Sequence, residues 1–291
     1  MDQNVLFEYI KSGNLDKCLE IVNKNPGLLN MHYYGVTPLM YSIECQTEEI
    51  ALEFCRFPGI NLSLKDNLDS TLFEKAIEYK MFRVVEYLCQ NSRKPNINDI
   101  YLDNGETYLT FAIKSGDEQT LRALVRGKID PNLANKSNQY PIQLAIKFDR
   151  KKMVEILLQA ENIYIGTMQN GYNSLLDACE NDLTDICIML IDNGADINVR
   201  DEDQKWTPLM HAICNNNEIL VKKLLDHKCD LSLVDFNQNT PVHLAVLTEN
   251  EFILKLLLKY SPNKDLENCE NLTPLQIATL NDDERSIQLL S

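Results

Sequence analysis

Side chains able to ligate a metal or attack a substrate are present but scattered. The four histidines, His32, His211, His227 and His243, make no H-E-x-x-H pair, and none stands at metal-ligand spacing from a cysteine. The nine cysteines contain no C-x-x-C. An odd, dispersed set is neither a disulfide framework nor a zinc ribbon, and it suits a reducing compartment. Cys18, Cys55, Cys89 and Cys187 fall in apolar helical register and are expected as core thiols. Cys45 and Cys214 fall elsewhere, yet no pattern supplies the histidine or the lowered pKa that a thiolate nucleophile requires. Arg126-Gly-Lys-Ile129 lacks the leading glycine and the hydroxyl of a P-loop, and no G-x-G-x-x-G occurs. No metal, nucleotide or other cofactor is expected, and the chain reads as non-enzymatic.

The organising feature is instead a repeat. Hexapeptides align as TPLMYS at Thr37, TLFEKA at Thr71, TYLTFA at Thr107, YPIQLA at Tyr140, NSLLDA at Asn173, TPLMHA at Thr207, TPVHLA at Thr240 and TPLQIA at Thr273. Their starts differ by 34, 36, 33, 33, 34, 33 and 33 residues, and a degenerate copy begins at Asn4. Threonine is a good helix N-cap and the following proline pre-sets φ, so each copy announces a helix. That helix is expected to stop at a left-handed residue such as Gly13, Gly116, Asp182 or Asn216. A second helix follows, with apolar residues three to four apart: Met153, Val154, Ile156 and Leu157, or Leu220, Val221, Leu224 and Leu225.

A period near 33 with T-P-L-H-x-A opening the first of two helices resembles the ankyrin repeat family, and Asn193-Gly-Ala-Asp-Ile-Asn198 resembles its G-A-D-x-N loop. The resemblance implies an all-α solenoid of stacked helix-turn-helix units with hairpin loops, a single domain spanning 1–291. Approximate repeats are 4–36, 37–70, 71–106, 107–139, 140–172, 173–206, 207–239, 240–272 and 273–291, the first and last acting as caps. The 36-residue step places extra residues in the loop Asn91 to Asn98. Two residues before the motif, Lys205 and Gln238 stand where glycine is usual, so the hairpins before Thr207 and Thr240 are expected to be less regular.

The resemblance also implies a binding surface of first helices and hairpin tips, at positions four, three and one before the motif residue and seven and eight after it. Here these positions carry Tyr33, Tyr34, Tyr79, Lys114, Lys147, Phe148, Tyr172, Trp206 and Phe236, a recurrence of aromatic side chains suited to hot spots. Some ankyrin-like proteins are hydroxylated on the loop asparagine of L-x5-D-[IV]-N; Leu190 to Asn198 matches, making Asn198 the candidate acceptor beside a purely turn-forming role.

The net charge of −15 disfavours nucleic acid or an anionic membrane as partner. Residues 107–152 nevertheless hold nine basic and four acidic side chains, a +5 island in an otherwise −20 chain, which suits a protein partner of mixed charge. The N-terminus lacks a basic, apolar signal pattern, and no window approaches the ~20 apolar residues of a membrane span. A monomeric protein-interaction module is therefore expected, in the cytoplasm, the nucleus or a host cell's cytoplasm. The alternative is the targeting arm of a larger enzyme or bacterial effector whose catalytic domain lies outside this chain.

Overall fold

A computed structural model describes residues 2–91 and 104–291. The expected insertion loop, from residue 92 onward, lies outside the described residues.

Every motif residue except Tyr140 is seen capping a helix with its side chain. Thr37 precedes α3 (Pro38–Glu44), following α1 (Asp2–Lys11) and α2 (Leu15–Lys24), and accepts from the Met40 N–H at 3.3 Å. Thr71, Thr107, Asn173, Thr207, Thr240 and Thr273 do the same for α5 (Leu72–Glu78), α7 (Tyr108–Ser115), α11 (Ser174–Glu180), α13 (Pro208–Cys214), α15 (Pro241–Leu247) and α17 (Pro274–Leu280). The partner helices are α4 (Glu48–Arg56), α6 (Phe82–Asn91), α8 (Glu118–Arg126), α12 (Thr184–Asp192), α14 (Glu218–Asp226), α16 (Glu251–Leu258) and α18 (Glu284–Leu290). The pair α9 (Pro141–Lys147) and α10 (Lys151–Leu158) belongs to the Tyr140 copy. Left-handed backbone separates the helices of a pair at Gly13, Gly116, Asp182 and Asn216, as expected, with φ of 72°, 79°, 55° and 54°. Among the described residues there is no β-strand, and three isolated bridges mark hairpins.

Two compact units make up the chain: Met1–Leu144 with Ile156–Ile163, and Ala145–Glu155 with Tyr164–Ser291. In the first, α3 packs on α1 and α5, and α6 lies between α4 and α8. Its core includes Leu39, Ile43, Phe54, Leu109, Ile113, Leu121 and Leu124, all essentially solvent-free. In the second, α13 lies between α11 and α15, and α14 between α12 and α16, around Ile186, Leu190, Leu209, Leu220, Leu224, Ile253 and Leu257. Burying each such side chain stabilises the fold by roughly 1.5–3 kcal/mol, which one helix pair alone has no surface to obtain.

The hairpins are tied to one another through backbone. In four copies the N–H four residues before the motif donates to the preceding hairpin: Asn67 to the Gly35 carbonyl at 3.0 Å, Lys136 to Gly105 at 2.9 Å, Phe236 to Gln204 at 2.8 Å and Cys269 to Asn237 at 2.9 Å. Gly35, at φ 86°, is required there, because a Cβ would come within 2.6 Å of the Asn67 side chain. Lys205 and Gln238 adopt the left-handed region after all, at φ 59° and 62°. Before Thr240 the turn is as regular as its neighbours: Asp235 N–H donates to Asn239 at 3.0 Å and Gln238 N–H back to Asp235 at 3.1 Å. These bonds offset the ~1–2 kcal/mol left-handed penalty. Before Thr207 the turn is one residue longer, closing from Asp201 N–H to the Trp206 carbonyl at 3.0 Å, so the expected irregularity is confined to that hairpin.

Candidate functional site

Position in the turn decides which predicted contact residues face solvent. Tyr34 and Phe236 sit at hairpin tips, three and four residues before their motif residues, and are 86% and 70% exposed, and Leu68, which matches Tyr34 in the hairpin before Thr71, is 79% exposed. The hairpin ladder holds the backbone still while the side chain projects outward. Such pre-organised apolar groups lose little freedom on binding. Phe148, Lys114 and Lys147, at the ends of first helices, are also exposed. The Arg150 guanidinium stands 5.7 Å from the Phe148 ring centre.

The other rings are half-buried against their own repeat. Tyr33 packs edge-on against Phe7 and Tyr34, with centroids 5.0 and 4.2 Å away. Tyr79 caps the C-terminus of α5, its N–H donating to the Lys75 carbonyl at 2.9 Å. Tyr172 turns inward and its hydroxyl donates to Asp177 Oδ2 at 3.0 Å. Burial, then the Asp177 charge, pushes its phenol far above the ordinary range; burial likewise raises the Asp177 carboxyl. Trp206 lies edge-on to His211 with centroids 5.2 Å apart, and its indole N–H is buried without a hydrogen-bond partner among the described residues.

A pattern missed in the sequence explains this inward turn. The residue four after the motif faces its own hairpin, and where it is polar it finds a partner there. Lys75 Nζ meets Asp66 at 2.9 Å, Asp177 meets Tyr172, and His211 Nε2 meets Asp201 Oδ2 at 3.0 Å. The signal was legible as a charged or histidine residue at a position where Leu144, Leu244 and Ile277 stand in other copies.

Four of the nine basic side chains of the island stand in ion pairs that the structure shows. In the first unit Lys114 meets Glu106 at 2.6 Å, Arg126 meets Glu86 at 3.5 Å and Lys128 meets Glu161 at 2.8 Å; in the second, Lys151 meets Asp185 at 2.6 Å. Glu106 is buried, whereas the Lys128–Glu161 and Lys151–Asp185 pairs are exposed and contribute ~0–1 kcal/mol each.

Several of the chemistry-bearing side chains are held within the fold. His243 Nδ1 accepts from the Thr240 N–H at 3.1 Å, so Nε2 carries the proton and donates to the Leu272 carbonyl at 3.0 Å. Burial favours this neutral ring and lowers its pKa below 6.5. Cys18, Cys55 and Cys187 are buried, as expected, while Cys89 is half-buried. Cys179 Sγ lies 3.5 Å from Cys187 Sγ, a pairing no spacing rule suggested. Burial pushes the Cys214 thiol up to about 11, away from nucleophilic use at neutral pH. Among the described residues no group of three or more His, Cys, Asp or Glu side chains is placed to hold a metal ion. No described helix is long and apolar enough to cross a membrane.

Asn198 is exposed and does more than shape its own turn: its N–H donates to Asp196 Oδ1 at 2.9 Å, and its Oδ1 accepts from the Asp230 N–H in the next loop at 2.8 Å.

A family model described as ankyrin repeats (3 copies) matches residues 73–167, 109–201, 163–235, 178–268 and 209–291. An ankyrin repeat protein of Acanthamoeba polyphaga mimivirus is 24% identical over 248 residues, 81% of this chain and 32% of its own length. One from fowlpox virus (strain NVSL) is 29% identical over 164 residues, covering 56% of this chain and 37% of its own. The chain thus spans about a third of the length of these curated relatives. Among solved structures, the ankyrin repeat domain of Bcl-3, a unique member of the IkappaB protein family, shares the fold with a TM-score of 0.61 at 24% identity, over 76% of this chain and 98% of that one.

Proposed function

Because this chain belongs to the ankyrin-repeat family, whose repeats generally mediate protein–protein interaction and whose members are typically non-catalytic, we propose that it is a non-enzymatic module gripping a partner protein along its hairpin tips and first-helix ends. One observation carries the reading: three hairpin tips hold Tyr34, Leu68 and Phe236 in water on hydrogen-bonded backbone. Large apolar side chains held outward at the tips of turns are costly to solubility and suit a partner's surface. In the first unit Tyr34 is the strongest contact residue, with Lys114 as a further one; in the second it is Phe236, with Phe148 and Lys147; Tyr33, Tyr79, Tyr172 and Trp206 support the turns and offer only part of their surface. The basic island favours a partner of mixed charge, and the free chain is monomeric in the cytoplasm.

The test is affinity capture from cell lysate with wild type and with Phe148→Ala/Phe236→Ala/Leu247→Ser, three exposed positions of the second unit whose loss leaves the core intact. Proteins held by wild type and lost with a variant of unchanged far-UV circular dichroism support the reading; identical sets overturn it for that unit. The greater length of the curated relatives favours a second reading, in which this module directs a longer protein whose activity lies elsewhere. The mass of the native protein, read by immunoblot from its source cells, decides between them.

A further inference from the structure

The first unit carries a cleft of about 440 Å³ whose walls include Phe7, Tyr33, Tyr34 and Tyr41, with the carboxylates of Glu8 and Glu44 at its edge. The four rings touch in sequence. Tyr41 stacks on Phe7 with centroids 4.7 Å apart and planes 28° apart, Phe7 meets Tyr33 at 5.0 Å, and Tyr33 meets Tyr34 at 4.2 Å, both edge-on. Phe7 is buried and fixes the floor, while Tyr34 stands almost fully in water.

This composition selects its ligand by charge. Aromatic faces are electron-rich and attract a cation, and a carboxylate beside them adds to that attraction. Glu44 already receives Lys75 Nζ at 2.6 Å. Glu8 is exposed and in no ion pair among the described residues, so its two oxygens can accept a forked donor. A guanidinium is planar, stacks on rings and donates two parallel N–H groups to a carboxylate; an ammonium does neither and holds its water more strongly. The chain's −15 net charge draws such a group in. Lys11, one turn from Glu8 on α1, also lines the cleft and opposes a cation.

We propose that this cleft takes the arginine side chain of a partner segment, its guanidinium against the Tyr34 and Tyr41 rings and its fork on the Glu8 carboxylate. The proposal rests on the reading of the chain as an interaction module and names the chemistry recognised by its first unit.

The experiment titrates the full chain, carrying ring-13C tyrosine, with the capped peptide Gly-Ser-Arg-Ser-Gly and with its citrulline and lysine counterparts, following aromatic resonances assigned by single Tyr→Phe changes. The arginine peptide is expected to shift Tyr33, Tyr34 and Tyr41 saturably, and citrulline, isosteric but neutral, to bind about tenfold more weakly. Tyr34→Asn, which suits the left-handed φ of 52° there, should weaken arginine binding about fivefold, whereas Tyr34→Phe retains it. Glu8→Gln should weaken binding and Lys11→Gln tighten it, each about two- to threefold; a purely structural role for these exposed side chains predicts no such opposition. Citrulline or lysine matching arginine, or rings left unshifted by all three peptides, overturns the proposal. Any of those results leaves the interaction reading intact, since that is judged by proteins lost from the second-unit variant.

Discussion

Lys75 is the sharpest test of how these repeats are held together. Its side chain is 9% exposed, with Nζ 2.6 Å from Glu44 Oε1 and 2.9 Å from Asp66 Oδ2, the Asp66 side chain being 1% exposed. At an effective dielectric of ~20 each contact is worth roughly 6 kcal/mol of gross attraction, and the desolvation of three ions offsets most of it. Burial alone would raise the Asp66 pKa, but hydrogen bonds from Lys75, Ser70 and Leu68 outweigh it and hold the carboxyl below 3.8. Burial likewise opposes the Lys75 charge, and its bonds to Glu44 and Asp66 hold its pKa above 10.5. Lys75→Met fills the volume but leaves Asp66 an uncompensated buried charge, so unfolding free energy at pH 7 should fall by about 3–5 kcal/mol. A depressed carboxylate contributes stability above its unfolded pKa and loses it as pH falls through the folded one. The Lys75→Met penalty should therefore be largest near neutrality and shrink below pH ~4, where Asp66 accepts a proton. Restoring neutrality with Lys75→Met/Asp66→Asn/Glu44→Gln should recover at least half of it, roughly 2 kcal/mol. Urea unfolding followed by circular dichroism at pH 7 and pH 3.5 measures both effects. A loss under ~1 kcal/mol, or an equal loss at both pH values, would refute the reasoning.

Three further outcomes follow from single residues. The depressed His243 pKa means the unfolded chain binds more protons at mildly acidic pH, so its contribution is complete above ~6.5 and falls as pH drops below that value. His243→Gln, which copies the Gln276 bond to the Thr273 N–H at 2.8 Å, should flatten the decline in unfolding free energy between pH 7.5 and 5.5. Gln238→Gly should raise stability by ~0.5 kcal/mol, the left-handed penalty removed exceeding the glycine entropy cost, as read by urea midpoint. Asn198→Ala should cost ~0.5–1 kcal/mol through the lost loop-to-loop hydrogen bond and speed the hydrogen exchange of the Asp230 amide; unchanged exchange would show that the bridge contributes nothing.

What the amino-acid order determined by itself was local and periodic. The motif threonines and Asn173 cap the helices that follow, Gly13, Gly116, Asp182 and Asn216 end theirs in left-handed backbone, and the apolar rows of the second helices form the buried seams, because capping, φ preference and hydrophobic spacing act within a few residues. Tertiary structure decided which side chains remain in water. Tyr34 and Phe236 project from turns tied to a neighbouring hairpin, whereas Tyr172 and Trp206 fold back toward Asp177 and His211, partners contributed by their own first helix. The meeting of Phe7 with Tyr33 and Tyr41, of Cys179 with Cys187, and of Lys75 with both Glu44 and Asp66 likewise follows from how helix and hairpin pack. A repeat period says that two positions recur; contact between side chains depends on distances that only packed helices and closed turns establish.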